Sequence, residues 1–303
     1  MIHPLRLGTR GSPLALTQAR MVSAALCAAH GWDDDAIEIV PIRTSGDRIQ
    51  DRPLAEVGGK ALWTKELDRA LIDGEIDFSV HSMKDVETIR PTEIMIAAML
   101  PRADVRDRLI GAESLDALPQ GARIGTSSPR RSAQLLRRRP DFRIVLFRGN
   151  VDTRLARLDR GEAEATLLAA AGLDRLTRFE IGHAIEIETM LPAPAQGAVG
   201  IEALAARDDI RTLLAAIDHG ETSECVRTER ALLAALGADC RSPVAALARR
   251  VGGRVHLRAE ILSGDGQECE VGELWLDVPA DARHLASDLL DRAGPALKGL
   301  FTG

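Results

Sequence analysis

The 303-residue sequence contains no tyrosine, and its aromatic residues amount to only 3%. A nucleic-acid surface built on stacked aromatic rings therefore has little to draw on. Lysine is almost as scarce. Of the 39 Lys and Arg residues only Lys60, Lys65, Lys84 and Lys298 are lysines. The net charge of −6 gives the molecule no overall attraction to polyanions, so any anion site must come from arginines gathered locally. No apolar run reaches the roughly 18 residues that a bilayer span requires. The opening MIHPLRLGTRGSP lacks the charged start, apolar stretch and small-residue cleavage site of an export signal. The expectation is a cytoplasmic protein with neither a membrane nor a nucleic-acid partner. Cys27, Cys225, Cys240 and Cys269 lie far apart and form no CxxC or Cys/His ligand spacing, so neither a metal site nor a disulfide framework is expected. The length exceeds one ordinary core, and two or three domains are expected.

Local signals alternate strand and helix over the first hundred residues. Leu5–Leu7 reads as a strand. Pro13 opens a helix to about His30 that Gly31 ends, since Pro suits the first helical position and Gly the exit. Ile37–Ile42 is a second strand, Lys65–Ile72 a helix and Ile76–His81 a buried strand. The pattern restarts near residue 105. A strand ends at Ile124–Gly125, Ser127-Ser128-Pro129 opens a helix to about Arg138, and Arg143–Phe147 is a strand. Asn150 caps a helix over Val151–Arg160 that Gly161 ends, and Ala165–Ala169 is a further strand. Strands separated by helices predict mostly parallel sheets with helices on both faces. The two starts share a pattern. GTRGSPLALTQ (Gly8 to Gln18) and GTSSPRRSAQ (Gly125 to Gln134) each contain Gly-Thr, then Ser-Pro, then Gln five residues after the Pro, which fits two similar α/β domains. The C-terminal part differs: a helix over Glu224–Leu236, strands over Val244–Val251, Arg254–Leu262 and Glu268–Leu276, and a helix from Asp281 to about Leu297. Gly252-Gly253 and Ser263-Gly264-Asp265-Gly266 are good hairpin turns, so this part reads as a small α+β domain with a three-stranded antiparallel sheet.

Helix N-termini attract anions through their free N–H groups and dipole. Arg10-Gly11-Ser12-Pro13 and Thr126-Ser127-Ser128-Pro129-Arg130-Arg131 place hydroxyls and arginines at such starts, and Arg148-Gly149-Asn150 places another Arg before a helix with Arg154 one turn inside. Parallel strands bring these turns to one sheet edge, where ligands sit, and each Arg can grip a carboxylate with two parallel hydrogen bonds. The same hydroxyls and Asn serve equally as plain helix caps beside solvated arginines; three such sites in one chain favour a polyanion cleft. His81-Ser82-Met83-Lys84-Asp85 follows a strand end and offers a cation and a general acid or base, although an adjacent Lys-Asp is also an ordinary surface pair and His81 an ordinary structural residue. Beside Cys240, Arg241 favours a thiolate and Asp239 opposes it; read alone, such a cysteine is an inert one. Gly58-Gly59-Lys60 is followed by Ala61 and so misses the phosphate-loop pattern, and residues 48–60 read as a mobile lid.

Five segments resemble the porphobilinogen deaminase (hydroxymethylbilane synthase) family: RGSPLALTQA, VGGKALWTKELD, VHSMKDV, IGTSSPRRSAQL with LFRGNVDTRLARLD, and LPAPAQGAVGIE. Their order and spacing fit as well. The resemblance implies an α/β fold with two lobes like those of periplasmic binding proteins, residues 1–99 with 196–218 and residues 100–195, the active site lying between them. It adds a C-terminal α+β cofactor-attachment domain over residues 219–303. It implies a transferase that deaminates and joins four porphobilinogen molecules head to tail into hydroxymethylbilane, a monomer whose product passes to the next tetrapyrrole enzyme. It places a covalent dipyrromethane cofactor on Cys240 through a thioether and the catalytic carboxylate at Asp85. Ser12, Ser82, Lys84, Thr126, Ser127, Ser128, Arg130 and Arg131 are implied to hold the cofactor. Arg10, Asp47, Lys60, Arg148, Arg154, Arg175 and Gln196 are implied to hold substrate.

The family chemistry accounts for these residue types. Each porphobilinogen brings an acetate and a propionate, and planar bidentate arginines suit such carboxylates better than lysines. Loss of ammonia leaves an electron-poor methylene pyrrolenine that a nearby carboxylate steadies. The sequence departs from the family pattern at Trp63 (usually Phe), Glu56 (often Lys), Glu87 (frequently Pro) and Ala238-Asp239 (commonly Gly-Gly); the last restricts the loop and adds a charge near the thiol. The alternative is a non-enzymatic two-lobed binding protein for a small polycarboxylate, which needs neither Asp85 nor a reactive cysteine. A phosphate-handling transferase finds no nucleotide motif.

Overall fold

The computed structural model describes residues 4–44 and 64–301. Asp47 and Lys60, and the departures Glu56 and Trp63, lie outside the described residues. In chain order the elements are β1 (Leu5–Arg10), α1 (Pro13–His30), β2 (Ile37–Ile42), α2 (Lys65–Ile72), β3 (Phe78–Ser82), β4 (Ile94–Met99), β5 (Asp107–Ile110), β6 (Arg123–Thr126), α3 (Pro129–Arg138), β7 (Arg143–Leu146) and α4 (Val151–Asp159). They continue with β8 (Ala165–Ala169), α5 (Ala170–Arg175), β9 (His183–Ala184), β10 (Val199–Leu204), α6 (Asp208–Ala215), α7 (Gly220–Ala235), β11 (Val244–Val251), β12 (Arg254–Leu262), β13 (Cys269–Leu276), α8 (Ala282–Arg292) and α9 (Pro295–Lys298). The chain divides into two compact units. Of the described residues, 4–44, 64–103 and 197–223 form the first, and 104–196 with 224–301 form the second.

The first unit is built on a five-stranded sheet in the order β2-β1-β3-β10-β4. β2, β1 and β3 are parallel, and β10 is antiparallel to both its neighbours. The second unit contains an equivalent sheet, β7-β6-β8-β5-β9, again with three parallel strands followed by an antiparallel one. The expected mostly parallel sheets are therefore mixed. The fourth strand of each comes from a distant stretch of chain that runs back along the third.

The shared pattern at the two starts turns out to be one device used twice. A Cβ on Gly8 would lie 2.2 Å from Ile76 Cδ1, and one on Gly125 would lie 2.4 Å from Phe147 Cδ2, so glycine is what lets each strand pack this closely. Thr9 and Thr126 are buried. Thr9 Oγ1 donates to the Ala15 carbonyl at 3.3 Å, and Thr126 Oγ1 accepts from the Ser128 N–H at 3.1 Å. Ser12 and Ser128 cap α1 and α3 by accepting from the N–H groups of Ala15 and Arg131, with Pro13 and Pro129 just inside each helix. Gln18 and Gln134 then turn inward and are buried. Gly31, at φ 65°, ends α1 in the left-handed region, as expected.

The last part of the second unit is the antiparallel sheet β11-β12-β13, with both hairpins where the turn residues placed them. Leu232 of α7, Leu236 just past its end, and Leu285 and Leu289 of α8 share a core with Leu257 and Ile261 of β12, each fully buried leucine contributing roughly 1.5–3 kcal/mol. The single helix expected from Asp281 to Leu297 is instead two. α8 ends at Arg292, and Pro295, which has no N–H to continue a helix, starts α9. Among the described residues no helix is long and apolar enough to cross a membrane.

Behind the HSMKD segment lies a buried charge cluster. Glu202 on β10 accepts from Arg90 Nε at 2.8 Å and Nη2 at 2.9 Å, and lies 3.2 Å from His81 Nε2. His81 also meets Ser79 Oγ at 2.9 Å. Glu87, the departure from the family proline, accepts from Thr64 Oγ1 at 2.6 Å and from Arg90 Nη1 at 2.8 Å. Burial alone would raise the Glu202 carboxyl, but His81 and Arg90 outweigh it and hold it at about 2, against an ordinary 4.5. Because the folded value is the lower one, the stabilisation is full above about 4.5 and drains away as pH falls towards about 2. The difference corresponds to about 3 kcal/mol. Urea titrations of Glu202→Gln are expected to show lower stability at neutral pH and a shallower acid limb across that window. An acid limb of unchanged slope would count against this linkage.

Candidate active site

In the first unit the expected residues gather where β1 and β3 end. These strands are parallel neighbours, with Leu7 beside Phe78 and Gly8 beside Ser79, so Arg10 and Ser82 leave the sheet at the same edge. Ser12 caps α1 there. Lys84 and Asp85 follow on a 3-10 turn over Met83–Asp85. The buried Met83 anchors that turn. Its N–H donates to the Ala198 carbonyl at 3.1 Å, and Gly200 makes room for its side chain, since a Cβ there would lie 2.0 Å from Met83 Sδ. Asp85 and Lys84 are half-buried. Gln18 reaches the same edge from α1: its Nε2 donates to Ser82 Oγ at 2.8 Å, and its Oε1 accepts from that hydroxyl at 3.2 Å.

In the second unit the carboxyl ends of parallel β6, β7 and β8 carry, in turn, Thr126-Ser127-Ser128, Arg148 and the short helix α5 that ends in Arg175. Arg154, on α4, donates from Nη2 to Ser127 Oγ at 3.3 Å and from Nε to the Gly149 carbonyl at 3.0 Å. Gly149 adopts φ 103°, a left-handed turn that delivers Asn150 to cap α4 through the Thr153 N–H at 2.9 Å. Arg148 is buried, and burial pushes the Arg175 guanidinium below its ordinary range.

Arg130, Arg131 and Gln196 converge on a residue that the sequence reading did not single out. Asp107, at the head of β5, accepts from Arg130 Nη1 at 2.6 Å, Arg131 Nη2 at 2.7 Å and Gln196 Nε2 at 2.9 Å. Its side chain is fully buried. Burial alone would raise its carboxyl; the two guanidiniums outweigh it and hold it well below the usual carboxylate range. Gln134 extends the cluster. Its Oε1 accepts from Arg130 Nη1 at 3.1 Å, and its Nε2 donates to Glu260 Oε2 at 2.8 Å. The Nε atoms of Arg130 and Arg131 are buried with no hydrogen-bond partner among the described residues. Gln18 and Gln134 did carry a signal, their matching places in the repeat; Asp107 carried only that of an acid heading a short apolar strand.

Cys240 is exposed and lies in a turn closed by the Ser242 N–H on the Asp239 carbonyl at 3.0 Å and by the Asp239 N–H on Ser242 Oγ at 3.1 Å. The added charge of Asp239 is neutralised locally. Its carboxylate accepts from Arg241 Nη2 at 2.7 Å, Nε at 3.1 Å and the N–H at 2.8 Å, and that pairing raises the Arg241 guanidinium above its ordinary range. Cys27 and Cys225 are buried; Cys269 is half-buried, and burial pushes its thiol up to about 11.

Residues 5–212 match the family described as "Porphobilinogen deaminase, dipyromethane cofactor binding domain", and residues 223–292 match "Porphobilinogen deaminase, C-terminal domain". The porphobilinogen deaminase of Sphingopyxis alaskensis is 56% identical over 307 residues, covering 99% of this chain and 97% of that protein. That of Paracoccus denitrificans is 50% identical over 294 residues, covering 95% and 93%. Among solved structures, the second substrate binding domain of a Streptococcus pneumoniae protein is 12% identical over 77% of this chain and 94% of that one, with a TM-score of 0.45. With both family segments matched in order and relatives at this identity over nearly the whole length, the chain belongs to the porphobilinogen deaminase family.

Proposed function

We propose that this chain is a hydroxymethylbilane synthase, a transferase that joins four porphobilinogen molecules head to tail with release of four ammonia molecules, one water being taken up as the finished chain is cleaved from its anchor. The reading rests on family membership and above all on one observation, the buried Nε–H groups of Arg130 and Arg131 that lack a partner among the described residues. Two cationic donors left unmatched in a dry setting suit a carboxylate-bearing ligand. The residues fit dipyrromethane: Cys240 supplies an exposed thiol for the thioether, and Ser12, Ser82, Lys84, Thr126, Ser127, Ser128, Arg130 and Arg131 would hold the carboxylates. When bound, the cofactor would supply the free pyrrole α-carbon to which the first porphobilinogen is joined, each later unit adding to the last ring of the growing chain.

The chain's own groups then divide the work. Arg10, Arg148, Arg154 and Arg175, with Lys60 and Gln196, bind the acetate and propionate arms and so orient each porphobilinogen; Asp47, itself a carboxylate, belongs to the same substrate site without holding those arms. Asp85 faces the substrate's pyrrole N–H, steadies the positive charge that builds as the aminomethyl C–N bond breaks, and passes the proton that the new C–C bond releases. On this reading residues 1–99 with 196–218 carry Asp85, residues 100–195 carry most of the arginines, and residues 219–303 carry the thiol. The enzyme acts as a monomer in the cytoplasm and passes its product to the next enzyme of tetrapyrrole assembly.

Intact-mass measurement tests the proposal. Protein purified from cells that make tetrapyrroles is expected to exceed its sequence mass by two porphobilinogens less two ammonias. The mass of the bare chain, together with reversible binding of polycarboxylates, would favour a binding protein instead.

A further inference from the structure

Asp107 has no place in the chemistry above, yet three of the residues proposed to bind cofactor or substrate are fastened to it. Both its oxygens are engaged. Oδ2 takes Arg130 Nη1, and Oδ1 takes Arg131 Nη2 and Gln196 Nε2. The remaining side-chain bonds of the arginines also fall on terminal nitrogens: Arg131 Nη1 donates to the Leu167 carbonyl at 2.8 Å, and Arg130 Nη1 reaches Gln134 Oε1 and the Leu191 carbonyl. Arg131 is thus held at both terminal nitrogens and Arg130 at Nη1 alone, and what is left over is the buried Nε of each arginine and Nη2 of Arg130. The charges show the same selectivity. Two guanidiniums share the one carboxylate they touch, and Glu260 is reached only through Gln134.

From this arrangement we infer that Asp107 is a positioning residue for the cofactor's carboxylates. It sets the direction of Arg130 and Arg131, the pair proposed to hold the cofactor, whose buried Nε atoms carry no other bond among the described residues. The inference rests on the reading of the chain as a dipyrromethane-bearing synthase, and it concerns uptake of the cofactor rather than bond making. Gln134 is the auxiliary support: it holds Arg130 from α3 and is itself held by Glu260 of β12.

The test uses the full chain made in cells unable to form porphobilinogen, then incubated with porphobilinogen while intact mass reports the rate of cofactor incorporation. Asp107→Asn keeps the size of the side chain, removes its charge and turns an amide donor towards a guanidinium. Its incorporation is expected to slow by about 10- to 100-fold, the worth of a charge-assisted hydrogen bond. Glu202→Gln is the matched control, a buried carboxylate facing Arg90 and His81 rather than the anion-binding arginines. It should melt earlier, as Asp107→Asn does, but take up cofactor at the parental rate. Equal slowing in both variants would reduce Asp107 to general support of the fold and overturn the inference, as would a parental rate in Asp107→Asn. If Asp107→Asn does not fold, Gln134→Met decides: incorporation slowed by about 2- to 10-fold supports the inference, and an unchanged rate overturns it. Failure of the parent chain itself to gain mass would sink the underlying synthase reading, an outcome distinct from all of these.

Discussion

With Cys240 replaced by alanine, the purified protein is expected to have the mass of its bare chain and to form no tetrapyrrole. The environments of the four thiols single out this position. Cys27 and Cys225 are buried in packed cores, where an incoming pyrrole would have to displace side chains packed as tightly as a crystal. Cys269 is half-buried, and its thiol is pushed up to about 11, which leaves roughly one part in a thousand as thiolate at pH 8. Cys240 is exposed on a short turn whose flanking charges, Asp239 and Arg241, cancel one another. Removing that sulfur removes the anchor, and no other thiol is placed to substitute. Mass spectrometry of the peptides checks this directly. An adduct found on Cys225 or Cys269 would show that the attachment point had been misassigned.

Asp85→Asn is expected to cut turnover by roughly 10²–10⁴-fold while the protein keeps the mass of its cofactor. The amide has the size of the carboxylate but carries no charge and cannot take up a proton, so cation stabilisation and proton transfer are lost together. The backbone should be indifferent to the change, because the turn that presents residue 85 is anchored by Met83 in the niche left by Gly200. Turnover measured by release of product, alongside intact mass, separates a chemical defect from a loading defect. Near-parental turnover in a fully loaded variant would remove Asp85 from the mechanism.

Much of the fold was legible because its signals are local. Ser12, Pro13 and Gly31 mark both ends of α1, and the glycine-rich turns fix both hairpins of the last sheet. What escaped notice depends on partners far along the chain. β10 is an apolar run like many others, and nothing near Val199 announces that it will pair with Ser82. Asp107 is equally silent in sequence, since Arg130, Arg131 and Gln196 reach it only once β5 and α3 are packed. The break at Pro295 was readable, but helical spacing across Gly294 masked it. The chemistry at Asp85 and Cys240 came from resemblance to a family. On local grounds alone an Asp beside a Lys and a loop cysteine look ordinary, and only their company gives them meaning.

The link between Gln18 and Ser82 is made by an amide and an alcohol that exchange a donor and an acceptor. Neither group ionises anywhere near the conditions under which proteins live. The join between α1 and the strand leading to Asp85 should therefore hold its shape in brine and in mild acid alike, conditions that would slacken a fastening made of opposite charges. What acid loosens on this strand is the pairing of Glu202 with His81 and Arg90, and the amide–alcohol join does not depend on it.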